Sequence, residues 1–322
     1  MKRRPFVVRR KWETAEGVFG FELVPEDGLP LDRTEPGAHV EFILQRAGLP
    51  TLTRHYSLCN APDETDAYVF GVKKETLSRG GSRHLHALQV GGRIVLGSTH
   101  NHFPLAREGS SHLLLAGGIG ITPLLAMMQK LSLLEKAYEL HYFVRGPSHV
   151  AFLDRLETAR LEGRLHIHAG LDGAQTRKVL EEVLQPPGSD AHAYCCGPGA
   201  FMAAVEDIAA HRWPTEHLHF ERFQADDSAL ARPERPFTVV MHKTGMRCDV
   251  HVGETIVGAM ARAGIDLDTS CEQGVCGTCL TRVLEGTPDH RDAYLSNAER
   301  LSNTHILPCV SRSHTPVLVL DR

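Results

Sequence analysis

The stretch Ser270–Cys279, SCEQGVCGTC, sets Cys271, Cys276 and Cys279 at the spacing C-x4-C-x2-C, and a fourth thiol, Cys309, follows in ILPCVSR. Thiolates are soft ligands, and this is the spacing with which plant-type [2Fe-2S] centres are held. Gly274 and Gly277 let the backbone curl and turn N–H groups toward bridging sulfides. Structural zinc sites also use four cysteines, but typically as two C-x2-C pairs, and here only Cys276 and Cys279 form one. A disulfide framework fits less well, because three clustered thiols lie too close in sequence and no secretory signal is evident. Cys271, Cys276, Cys279 and Cys309 are therefore the expected iron ligands.

Outward from this loop the chain falls into segments. Just before it, ETIVGAMARAG has the pattern of a short helix ended by Gly264, and FTVVMHKTGMRCDVHV that of a β-hairpin. The polar, aperiodic run from Gln224 to Pro236 carries two prolines and predicts a linker, drawn at 226–236. From Ser111 onward, strand-like runs (LLLAGGIG, ELHYFV, LHIHAG, AHAYCCG) alternate with helix-period runs (TPLLAMMQKLSLLEKA, FLDRLETARLEG and a helix around Thr176 to Leu184). Such alternation makes parallel βαβ units. From Phe6 to about Leu105 short alternating runs such as VFGFELV, HVEFIL and AYVFGV lie between Gly, Pro and Asp turns, which predicts an antiparallel barrel. The expected organisation is a barrel over 1–107, a parallel-sheet α/β domain over 108–225, the linker, and a cluster-binding domain over 237–322.

At 322 residues the chain exceeds one ferredoxin module and suits two or three domains. The net charge of -4, with both signs interspersed, leaves no basic stripe, so nucleic acid is not an expected partner. The longest apolar stretch, Leu113 to Met128, is interrupted by Gly117, Gly118, Gly120 and Pro123, so no membrane span is expected. No sustained apolar region follows MKRRPFVVRR, and a reducing cytoplasm is the expected location. Twenty histidines are present without the paired C-x-H and C-x2-H strings of a Rieske centre.

In the barrel segment, Arg54, His55, Tyr56 and Ser57 offer a fixed cation for a phosphate, an aromatic face and a hydroxyl. Downstream, VKKETLSRGGSRHLHAL places Gly80, Gly81 and Ser82 at the start of a helical pattern, where free N–H groups attract a phosphate. Each string alone is weak; both in order make a flavin site. In the second segment Gly117, Gly118, Ile119, Gly120, Ile121, Thr122 and Pro123 follow a strand and open a helix, a turn that lets backbone approach a pyrophosphate. It is not the G-x-G-x-x-G fingerprint, and as a bare pattern it also fits packing. Tyr194, Cys195, Cys196, Gly197 and Pro198 end another strand, and ligands of open α/β sheets bind outside such carboxyl ends. Cys59, Cys195 and Cys248 have the pattern of small buried hydrophobes.

RHYSLCN, VKKETLSRGGS, AGGIGITP, YCCGP, HFERF, SCEQGVCGTC and PCVSR, in this order, resemble the phthalate dioxygenase reductase family over essentially the whole chain, including DHRD at Asp289 to Asp292. The resemblance implies a multidomain chain: an antiparallel flavin-binding β-barrel, an α/β parallel-sheet nucleotide-binding domain and an α+β β-grasp [2Fe-2S] ferredoxin domain. FMN, NADH and a [2Fe-2S] cluster are the implied cofactors. Arg54 then binds the FMN phosphate with Gly80, Gly81 and Ser82, and His55 belongs to the same string. Tyr56 and Ser57 contact the isoalloxazine, while Val72 and Lys73 line its polar edge through their backbone. Thr122 faces flavin or nicotinamide, and Phe223 covers the flavin face. Gly117, Gly118, Ile119, Gly120, Gly197 and Pro198 hold NADH, and Cys196 lies near the nicotinamide C4, so Ser57, Thr122 and Cys196 form the implied catalytic set. His102, in NHFPL, departs from the acidic residue of relatives and alters the charge near the nicotinamide pocket.

The implied reaction passes electrons from NADH through FMN and the cluster to a separate Rieske oxygenase of aromatic ring-hydroxylating or O-demethylating type. NADH is favoured over NADPH because Arg145 alone follows the strand HYFV, too little to clamp a 2′-phosphate. Plant-type clusters near about -400 mV and Rieske centres above about -150 mV differ by about 250 mV, roughly four orders of magnitude in equilibrium constant. Docking is expected to be transient and the chain a monomer. Other readings are a reductase for another one-electron acceptor (a cytochrome, a ferredoxin or a non-aromatic oxygenase) and a redox-sensing binding protein.

Overall fold

Alternation of apolar and polar residues at a period of two builds the first sheet, because successive side chains of a strand point to opposite faces. In this computed structural model, which describes residues 3–46, 49–61, 63–75, 80–186, 188, 190–225 and 227–322, the strands are β1 (Arg4–Ala15), β2 (Val18–Pro25), β3 (His39–Arg46), β4 (Leu49–Ser57) and β5 (Tyr68–Lys73). Helix α1 (Gly81–Ala87) and strand β6 (Arg93–His100) follow. The order is β4-β3-β6-β1-β2-β5, with antiparallel neighbours. An isolated bridge between Leu58 and Phe70 joins the two edges, so the sheet closes as a barrel. Its interior takes the alternate residues Val40, Phe42 and Leu44 of β3 with Phe6, Val8, Phe21, Leu23, Phe70, Val72 and Leu96.

Five parallel strands form the second layer of this unit: β7 (Ser111–Gly117), β8 (Ala137–Val144), β9 (Leu165–Ala169), β10 (Ala191–Cys196) and β11 (Leu218–Glu221). Helices α2 (Ile121–Leu133), α3 (Leu153–Leu161), α4 (Gly173–Val183) and α5 (Gly199–Ala209) connect them. The order β11-β10-β7-β8-β9 places the reversal of winding between β7 and β10. Leu114, Ala116, Leu140 and Tyr142 pack with α2 and α3, while Leu113, Leu115, Phe143, Ala193 and Cys195 pack with α4 and α5. The helix-period run predicted to Ala137 stops at Leu133, because Glu135 takes a left-handed φ of 52° and Ala137 already belongs to β8. Helix α4 begins earlier than its predicted start, since Asp172 and Gln175 form a capping box. Cys59 and Cys195 are buried, as expected.

The chain divides at Met1–Glu221 and Arg222–Arg322. In the second unit lie α6 (Asp227–Leu230), β12 (Phe237–Met241), β13 (Arg247–Val250), α7 (Ile256–Arg262), β14 (Thr281–Glu285) and β15 (Pro288–Asp289). They are followed by α8 (Asn297–Ser302), β16 (His305–Ile306), β17 (Arg312–Ser313) and β18 (Val317–Leu320). The order β13-β12-β18-β14-β16, with β12 parallel to β18, grasps α7 through Ile256, Ala259 and Met260, the β-grasp arrangement. Residue 226 of the predicted linker lies outside the described residues. The rest of that segment belongs to this unit and is bonded into it. Buried Arg291 donates to Asp289 Oδ2 at 2.8 Å, Glu234 Oε1 at 3.3 Å and the carbonyl of Leu230 at 3.2 Å. Arg312 Nη2 reaches the carbonyl of Arg235 at 3.1 Å. A polar, proline-bearing run looks like a linker until buried cations supply partners for its carbonyls. Cys248 is buried on β13.

Candidate functional site

Three left-handed residues shape the cysteine loop: Glu272 (φ 51°), Gly274 (φ 72°) and Gly277 (φ 74°). A Cβ on Gly274 would lie 2.6 Å from Val310 Cγ2 and 3.0 Å from Asp292 Cα, and one on Gly277 would overlap the Tyr294 ring. Glycine is therefore required by space as well as by φ. Asp292 braces this wall by accepting from the N–H groups of Tyr294 at 3.1 Å and Leu295 at 2.8 Å. Backbone N–H groups also turn toward the sulfurs: Gln273 N lies 3.3 Å from Cys271 Sγ, and that of Gly274 bonds Cys309.

The thiols influence one another chiefly in two pairs, Cys271 with Cys276 and Cys279 with Cys309. Within each pair the proton is shared unequally: Cys276 is pushed down to about 4 by its bond from Cys271, while Cys271 moves up. Cys279 likewise moves down and Cys309 up. Two pairs suit two irons, one pair to each.

In the first unit, Arg54 and Tyr56 share one face of β4, opposite Phe42 and Val40 of β3. Tyr56 meets Phe42 edge-on at 4.9 Å, and burial raises its hydroxyl pKa. The Arg54 stem packs on the start of α1, where a Cβ on Gly81 would lie 2.8 Å from Arg54 Cγ. Gly80 holds φ 109°, and Ser82 Oγ accepts from Glu75 N at 3.2 Å. These features suit a phosphate next to a planar ring. Residues 76–79 of the VKKETLSRGGS string lie outside the described residues. The Val72 carbonyl bonds His86 Nε2 at 2.8 Å, and the Lys73 ammonium pairs with Glu75 at 2.9 Å. His55 projects with Ser57 from the other face of β4, stacking on His39 at 5.0 Å and lying 3.9 Å from Glu41.

The two glycine turns of the parallel sheet meet. A Cβ on Gly117 would lie 2.8 Å from Pro198 Cδ, and one on Gly120 would overlap the Cys196 carbonyl and lie 2.8 Å from Gly197 N. Gly118, at φ 53°, faces open space, while Ile119 is half-buried. Thr122 Oγ1 bonds the Ile119 carbonyl at 3.0 Å, and a Cβ on Gly71 of β5 would lie 2.7 Å from the Thr122 methyl, so this residue ties the turn to the barrel. Cys196 is fully buried at the carboxyl end of β10, and burial with nearby Glu221 keeps its thiol protonated.

Glu221, at the end of β11, was not among the residues the sequence singled out. Ser57 Oγ donates to Glu221 Oε2 at 3.2 Å, and His39 Nδ1 lies 3.9 Å from Oε1. Burial pushes Glu221 up to about 8 and His39 down to about 3, the latter helped by His55, His102 and His100, so both are neutral at pH 7. The available signal was a carboxylate inside the strand HFE of the HFERF string, where an apolar residue is the norm. Phe223 falls past the boundary in the second unit and is 38% exposed.

Residues 114–207 match the oxidoreductase NAD-binding domain family, and residues 240–314 match the 2Fe-2S iron-sulfur cluster binding domain family. The vanillate O-demethylase oxidoreductase of Pseudomonas putida is 40% identical over 98% of this chain and 98% of its own length. The carnitine monooxygenase reductase subunit of Acinetobacter baumannii is 35% identical over 98% and 97%. Among solved structures, phthalate dioxygenase reductase, described as modular for electron transfer from pyridine nucleotides to [2Fe-2S], superposes with a TM-score of 0.75 at 34% identity, over 99% of this chain and 98% of that one. The two family matches cover most of the parallel sheet and the cysteine loop, and the chain belongs to the phthalate dioxygenase reductase family of NAD-linked [2Fe-2S] oxidoreductases.

Proposed function

We propose that the chain is the reductase component of a Rieske-type oxygenase, taking electrons from NADH through FMN to the cluster and on to the oxygenase. One observation carries the reading: a pyridine-nucleotide sheet and a [2Fe-2S] loop in a single chain that aligns end to end with the vanillate and carnitine reductase components. FMN, when bound, supplies the conversion of a two-electron donor into two one-electron transfers. Arg54, with Gly80, Gly81 and Ser82, holds its phosphate; Tyr56, Ser57, Val72 and Lys73 position the ring. Gly117, Gly118, Ile119, Gly120, Gly197 and Pro198 hold the dinucleotide, and the interlocked turns orient it. Thr122 acts by fixing the turn through Ile119, and buried Cys196 fills the wall beside it. Ser57 and Glu221 keep a proton inside the crevice at pH 7. Cys271, Cys276, Cys279 and Cys309 hold the irons. We assign the barrel to 1–107, the nucleotide domain to 108–221 and the ferredoxin domain to 222–322.

The oxygenase partner docks transiently, the chain is a monomer, and its location is the cytoplasm. Among the described residues no helix is long and apolar enough to cross a membrane. Aromatic O-demethylation is the leading partner chemistry, since the vanillate relative has the higher identity of the two; the carnitine relative favours a non-aromatic oxygenase as the second reading. Purified protein is expected to show flavin and [2Fe-2S] absorbance and to reduce cytochrome c with NADH at a higher kcat/KM than with NADPH. Bound zinc without flavin, or no turnover, overturns the assignment. Turnover with vanillate-type but not carnitine-type oxygenases separates the two partners.

A further inference from the structure

Away from the nucleotide turns and the cysteine loop, three imidazoles and a carboxylate gather at the edge of the parallel sheet. β9 is an edge strand, and His166 and His168 stand two residues apart on it, so both project to one face. His141 on β8 is the register partner of His166, and Glu139 lies two residues before it on the same face. The His141 ring stacks on His166 at 4.6 Å and on His168 at 5.3 Å. One donor atom each from Glu139, His141 and His166 lies within 4.8 Å of the other two.

The two nitrogens of His141 differ in their surroundings. Nδ1 is 3.0 Å from His168 Nε2. Nε2 is buried, has no hydrogen-bond partner and faces Glu139 Oε2 at 3.5 Å. Leaving a buried nitrogen unpaired costs stability. A ring held at one nitrogen by a neighbour, with the other turned into a group of donors, is how metal-binding histidines are oriented.

We propose that Glu139, His141 and His166 form a site for a divalent transition-metal ion, with zinc the best match and His168 positioning His141. Two imidazoles and a carboxylate suit zinc, whereas magnesium and calcium take shells of oxygen. Three protein ligands leave a fourth position for water, and Glu139, 65% exposed, opens the site to solvent. The ion ties the edge strand β9 to β8.

The test titrates the protein loaded with flavin and cluster with zinc chloride, following heat and the histidine proton resonances. Wild type takes up zinc at micromolar concentration with the His141 and His166 resonances shifted. Glu139→Gln, an exposed change that spares the fold, weakens binding at least tenfold, and His166→Ala does so further. His168→Gln weakens it roughly 10- to 100-fold without removing a ligand. His192→Gln, in a separate histidine pair with His219 on β10 and β11, leaves the affinity unchanged. No uptake by wild type, or wild-type affinity in either Glu139→Gln or His166→Ala, overturns the site.

Discussion

The cysteine loop and the crevice of the first unit bring functional groups together by opposite routes. Three of the four thiols lie within one turn-rich stretch, and left-handed residues within that stretch curl it. In the crevice, Ser57 and Glu221 meet across 164 positions, and the glycine turns after β7 and β10 touch only because the sheet sets those strands side by side. A local site is carried by its own spacing and turns; a distributed one inherits its geometry from the sheet. The loop should therefore fail at single ligands, whereas the crevice should lose function in steps.

The largest effect is expected from Cys276→Ser. Reduction of cytochrome c with NADH should fall more than 100-fold, while NADH oxidation with ferricyanide stays within a few-fold of wild type. Equal loss of both activities would break the separation of the two sites.

Glu221 sharpens the comparison through pH. Its carboxyl keeps the proton up to about 8 in the folded chain and loses it near 4.5 when unfolded. The folded state therefore binds the extra proton between these values. The contribution is full below pH 4.5 and is lost as pH rises through 8, by up to about 5 kcal/mol, less for the residual exposure of the carboxyl. Urea midpoints of the first unit should fall across this window in wild type and much less in Glu221→Gln; parallel curves would remove the carboxyl from the account. The same variant should lose an alkaline limb near pH 8 in NADH–ferricyanide activity.

Arg291 tests whether the loop is as local as it looks. Replacing this buried cation by Leu leaves Asp289 to Arg232 and removes the bonds to the carbonyls of Leu230, Arg232 and Pro233, costing about 1 to 3 kcal/mol. Thermal melting of the cluster absorbance should shift down while flavin retention is unaltered. An unchanged melt would mean that the cysteine loop stands without its brace.

The smallest effect is expected from Gly120→Ala, which forces the two glycine turns apart. KM for NADH should rise roughly tenfold, about 1.4 kcal/mol, with the cluster spectrum unchanged. An unchanged KM would show that the dinucleotide does not depend on this contact.

The cysteine ligands, the barrel and the parallel sheet were legible because each rests on spacing or period along the chain. The glycine turns were legible as turns, but their mutual contact was not. Glu221 went unnoticed beside Phe223 in HFERF, since a carboxylate within a strand-like string does not reveal the distant groups that bury it. The segment 226–236 looked like a linker for the same reason: polarity in a sequence does not tell whether a partner such as Arg291 waits elsewhere in the fold.

By itself, the sequence determined which residues can bind iron, where strands and helices run and which turns can approach a phosphate, because these follow from short-range sterics and ligand chemistry. Only the tertiary structure decided that the thiols pair two by two, that Glu221 stays neutral beside Ser57, and that His141 turns an unpaired nitrogen toward Glu139. Those properties come from burial and from contacts between distant strands, which neither composition nor period records.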